Sequence, residues 1–240
     1  VMTGRDPHTH GVRINGRPLP AHEVTLAQIL SDAGYATALS RPYPKGMNRG
    51  FARNDLNVPF VDSPDAVREV LPALSEGEAA TDMAEDTAGL VQWLRDRAAS
   101  GDGRPFFLWA DEEFSHGPWH PPAPYDTMYD AAAALASGKQ DSYAPGLSED
   151  AARGTIDRFD GCVACIDRVL GLLLDELDTL GLAENTLLIV MSDHGQLLGE
   201  LDFWGKPPVL LDPVLRSVLL MRLPGVVRAG AQPDGLAIMN

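Results

Sequence analysis

The residue types best suited to chemistry lie in Thr186–Lys206, TLLIVMSDHGQLLGELDFWGK. Ser192-Asp193-His194-Gly195 puts a carboxylate and an imidazole side by side, directly after an apolar, β-branched run. Asp plus His is a hard-to-borderline donor pair suited to a divalent cation. Lys206, beyond a Gly/Leu-rich loop, can return a positive charge to the same crevice. The plain alternative is a polar strand end with a capping Asp and a solvated His, since a lone Asp-His pair is common. A second group is Phe114-Ser115-His116-Gly117-Pro118. His116 there can give a proton or hydrogen bond to a leaving oxygen, or simply be a His bonded within a proline-rich loop. A third is Arg5, whose guanidinium in a Gly-flanked loop suits bidentate capture of a tetrahedral oxyanion. The neighbouring His8 and His10 are conceivable metal ligands, but more plainly satisfy loop backbone or line a cleft. Cys162-Val163-Ala164-Cys165 matches C-x-x-C, yet it lies inside a helical pattern with no second pair and no nearby His. It reads as ordinary packing.

The elements that must position these residues follow from periodicity. Thr25–Ala33 has helical apolar spacing and stops at Gly34. Tyr35–Leu39 is a short strand, and Arg41–Phe60 is irregular. Ser63-Pro64 opens a helix, and a longer one covers about residues 80–99. Phe106–Ala110 reads as a buried strand. Residues 112–147, with Pro118, Pro121, Pro122, Pro124 and Pro145, form a long loop of the kind that usually carries function. Ser148 caps the longest helix, whose stripe is Ile156, Phe159, Val163, Ile166, Leu170, Leu173, Leu177 and Leu180. Thr186–Met191 is a buried strand, and a further strand lies near Ser217–Arg222. Residues 1–22 read as an ordered loop. Strands alternating with helices predict an α/β fold, a mostly parallel sheet sandwiched by helices. In such sheets ligands bind beyond the carboxyl ends of the strands, where Asp193, His194 and His116 all fall. Gly195 gives the sharp turn there.

The chain has 240 residues, enough for a single domain with a sizeable core. Its formal charge of −15 argues against nucleic-acid and anionic-membrane partners. An anionic substrate would therefore need a local cluster of Arg, Lys or metal. No apolar run reaches the ~18 residues of a spanning helix. No signal peptide opens the chain; the compartment is left open, with the cytoplasm favoured. The sequence opens on Val1-Met2 and closes on Leu236–Asn240 in mid-pattern, and is expected to be a piece of a longer protein.

Several stretches together resemble a known family. Thr3-Gly4-Arg5-Asp6-Pro7-His8-Thr9-His10-Gly11 is similar to the T-G-R-x-P-H-x-H-G run of sulfatases. Gly34-Tyr35-Ala36-Thr37 resembles the start of their second signature, Phe106–Tyr125 their strand and proline-rich loop, and Asn185–Lys206 their N-T…S-D-H-G…G-K run. The resemblance, to the choline-sulfatase and phosphonate monoester hydrolase branch, covers nearly the whole chain in family order. It implies an alkaline-phosphatase-like fold, incomplete at both ends here, with residues 1–240 a partial catalytic domain. It implies sulfate-ester hydrolysis of a small-molecule substrate by a formylglycine nucleophile beside calcium, or alternatively manganese. By the same resemblance Asp193 and His194 are metal ligands, Lys206 contacts the sulfate, His116 faces the leaving group, and Arg41 keeps the positive charge of the second signature. The sequence departs from the family at Tyr43, where a His is usual, and at Leu201, where another His is usual. The C/S-x-P-S-R nucleophile run and the early paired aspartates do not occur in these 240 residues. The chain alone is therefore expected to be inactive. A catalytically dead binding module and a phosphonate or phosphate ester hydrolase are the alternative functions, and an oligomer is left open.

Overall fold

The computed structural model describes residues 2–14, 16–42, 46–111, 113–130, 142–143 and 147–232. Tyr43 lies outside them. The chain divides into two compact units, residues 1–112 with 233–240, and residues 113–232.

In the first unit, Pro7–His10 forms a helical turn, α1, where the sequence predicts a loop. Pro7 at the first helical position and Gly11 in the left-handed cap account for it. Leu26–Asp32 is α2, started by a capping box in which the Thr25 hydroxyl accepts from the Gln28 N–H and the Gln28 side chain accepts from the Thr25 N–H. The turn at Gly34 leads into strand β1, Ala36–Leu39, buried along its whole length. Thr37 anchors the following loop: its hydroxyl donates to the Gly50 carbonyl at 2.6 Å and accepts from the Ala52 N–H at 3.0 Å. Helices α3, Pro64–Val70, and α4, Glu76–Ala79, pack on α5, Asp82–Ser100. Phe106–Trp109 is β2, which pairs parallel with β1, Ala36 opposite Phe106, as the alternating pattern predicts. Phe51 stacks on Phe107, and Trp93 of α5 meets Phe106 edge-on.

The second unit is built on α6, Glu149–Thr179, capped by Ser148 as the sequence predicts. Its deepest face is Thr155, Cys162, Cys165, Val169 and Leu177. Val163, placed in the predicted stripe, is 44% exposed. The buried face is turned because Cys, Thr and Gly pack as tightly as the larger apolar residues. Residues 113–130 form no regular element, as predicted, but are packed on this helix. Trp119 is buried edge-on against Phe159, and a Cβ at Gly161 would meet the Tyr125 carbonyl at 2.4 Å. Ser142–Tyr143, inside the predicted loop, forms strand β3. Strand β4, Leu188–Met191, pairs antiparallel with β7, Leu219–Arg222, with Met191 opposite Leu219. β4 is only partly buried, with Ile189 exposed, where the sequence predicts a buried strand. Between them, β5, Leu197–Leu198, and β6, Phe203–Gly205, form an antiparallel hairpin that β3 extends. The short α7, Asp212–Leu215, precedes β7.

Candidate active site

Asp193 and His194 leave the end of β4 on a segment fixed from both sides. The Ser192 N–H donates to the Val218 carbonyl, and its hydroxyl accepts from the Val218 N–H at 2.8 Å. The Gly195 N–H donates to the Val214 carbonyl at 2.8 Å. Gly195 is not in the left-handed region. It is needed because α7 comes so close that a Cβ would meet the Pro213 carbonyl oxygen at 2.0 Å. A close approach, not the turn the sequence suggests, is what demands glycine here.

This clamp sets the imidazole. His194 Nδ1 lies 2.8 Å from the Gly195 carbonyl. A carbonyl only accepts, so Nδ1 carries a proton, and in the neutral ring the lone pair is on Nε2. Nε2 is 3.6 Å from Asp193 Oδ1, whose side chain is 87% exposed. A backbone carbonyl fixing the far ring nitrogen is the usual support of a metal-ligating His. The pair fits two positions of a divalent cation's shell. Among the described residues no group of three or more His, Cys, Asp and Glu is arranged to hold a metal.

The β5–β6 hairpin leads into Lys206. Leu197 pairs with Gly205 and Leu198 with Trp204. Continued by one step, that register sets Lys206 opposite Gln196, two residues from His194. Gln196 Oε1 is buried with no hydrogen-bond partner among the described residues, a feature the sequence does not announce. His116 is exposed on the loop packed on α6, and its Nδ1 donates to the Gly117 carbonyl at 2.7 Å. Nε2 is left to accept, or to donate once the ring is protonated.

The two arginines are held by carboxylates. Arg5 Nη1 donates to both oxygens of buried Glu23, at 3.0 and 3.1 Å. Its side chain remains 49% exposed. Arg41, the second residue past β1, donates through Nε to Asp86 of α5 at 2.9 Å. Glu23 and Asp86 escape sequence reasoning, although Asp82 and Asp86, one helical turn apart, share a helix face. Cys162 and Cys165 are fully buried free thiols, and burial pushes Cys162 up to about 12. They pack the helix, as predicted.

The family profile for sulfatases matches residues 1–234. An ulvan-active sulfatase of Formosa agariphila is 27% identical over 252 residues, covering 94% of this chain and 46% of the relative. The phosphonate monoester hydrolase of Silicibacter pomeroyi superposes with a TM-score of 0.71 at 20% identity, covering 93% of this chain and 57% of the other. A protein solved with its substrate D-glucosamine-2-N,6-O-disulfate superposes with a TM-score of 0.63 at 16% identity, over 95% and 61% of the two chains. The chain spans about half the length of the relatives it matches.

Proposed function

The chain belongs to the sulfatase family, and from that premise we propose that the complete protein hydrolyses sulfate esters at a divalent-metal site to which Asp193 and His194 give two ligands. The observation that carries this reading is the imidazole held through Nδ1, with its Nε2 beside Asp193. A bound dication supplies charge neutralisation on the sulfate oxygens. Asp193 and His194 hold it, and an imidazole in the donor set suits manganese better than calcium, whose ligands are oxygens. Lys206, brought back by the hairpin, adds a positive charge for the sulfate. His116, protonated on Nε2, gives its proton to the departing alkoxide or phenoxide oxygen, so that the leaving group departs neutral. Arg41 adds cationic charge at the end of β1, and Arg5, half exposed, ties its own loop to Glu23. The nucleophile, a formylglycine by family, is not one of these residues. Cys162 and Cys165 are sealed in α6.

The test is a substrate panel on the protein in its full reading frame. Sulfate release from an aryl sulfate, falling about 100-fold or more in His194→Ala, agrees with the proposal. Phosphonate cleavage with no sulfate release assigns the site to the neighbouring chemistry. No turnover of either, in a folded protein, assigns it to a binding module.

A further inference from the structure

Arg41 is not simply a cation at a strand end. Its Nη2 donates to the Asp82 carbonyl at 3.4 Å, and Nη1 lies 3.5 Å from Asp82 Oδ2. Its Nε bond to Asp86 Oδ2 is the shortest of the three. The Asp86 side chain is only 3% exposed, and its other oxygen, Oδ1, is buried with no hydrogen-bond partner among the described residues. An ionised carboxylate offers about four acceptor positions, so a single Nε–H bond leaves this one poorly solvated. A protonated carboxyl suits the place better: Oδ1 carries the proton while Oδ2 still accepts from Arg41.

We infer that Asp86 is a positioning residue for Arg41, fixing its guanidinium against α5 and setting, by taking up or losing a proton, how much of its charge is free for an anion. With Asp86 ionised the pair is neutral; with Asp86 protonated it carries one positive charge in the same place. Only the identity of the anion, the sulfate of the ester, rests on the proposed function. Burial pushes the Asp86 carboxyl up to about 7, against the pull of Arg41, and the nearby charges of Asp82 and Glu85 add to the rise. The other charged groups around α5 are otherwise engaged. Glu85 accepts from the Asp62 N–H, and Glu78 of α4 from the Ser75 N–H.

The experiment follows the Arg41 Nε–H resonance of the protein in its full reading frame from pH 5 to 9, assigned with Arg41→Lys, with inorganic sulfate as the probe anion. The expected result is a resonance protected from exchange that titrates with a midpoint near 7. Sulfate binding should be several-fold tighter at pH 6 than at pH 8. Asp86→Asn should abolish both pH dependences while Asp82→Asn keeps them. An Arg41 resonance that does not move in the wild-type chain overturns the inference without recourse to any variant, as does a pH dependence that survives Asp86→Asn. A titrating Arg41 with no sulfate bound at any pH upholds the coupling and overturns Arg41 as a sulfate contact.

Discussion

Cys162 and Cys165 show how burial decides what a reactive residue type can do. A thiol works as a nucleophile or ligand only as thiolate. Cys162 is fully buried and pushed up to about 12, so almost none is ionised at neutral pH. We expect neither cysteine to react with an aromatic disulfide reagent in the native chain and both to react in denaturant. Prompt labelling of the folded chain would show this packing to be wrong. The C-x-x-C spacing alone cannot separate a reactive pair from a packed one; its place inside a helical pattern can, and that much was legible. Arg5 and Arg41 were legible as cations, but not their tethers. Glu23 is distant in sequence from Arg5, and Asp86 from Arg41, so only the fold pairs them.

At the scale of elements, the clamp on Gly195 carries the account. A methyl there meets the carbonyls of Pro213 and Arg216 at 2.0 and 2.6 Å. These are backbone atoms of and just beyond α7, which cannot swing aside as a side chain would. Gly195→Ala is expected to destabilise the chain by about 1–3 kcal/mol, read as a lower denaturant midpoint, and to displace the His194 ring. An unchanged midpoint would mean that α7 does not press on this turn. The strand leading to the site was legible because an apolar run followed by Ser-Asp-His-Gly changes character abruptly. The face of α6 was legible in period but not in phase. Leu and Ile mark a broad stripe, while Cys162, Cys165 and Thr155 take the deepest positions within reach of it. The partial exposure of β4 and β7 was not legible either, because a sequence apolar on both faces gives no account of what covers each face.

At the scale of the whole molecule, the fold class was legible from alternation and from motifs in family order, and the parallel pairing of β1 with β2 fits it. The 240 residues match sulfatases along nearly all their length but span about half of those relatives. With two proposed metal ligands, Asp193 and His194, and no C/S-x-P-S-R run in its 240 residues, this chain by itself is expected to release p-nitrophenol from its sulfate ester no faster than buffer. A rate above that blank would place a nucleophile among residues given no such role here. The most direct test of the central claim is the metal content of the protein in its full reading frame, measured after desalting for the wild type and for a folded Asp193→Ala, His194→Ala double variant. A dication bound in stoichiometric amount by the wild type and lost from the variant is the expected result. Equal metal in both, with sulfate release retained, would contradict it.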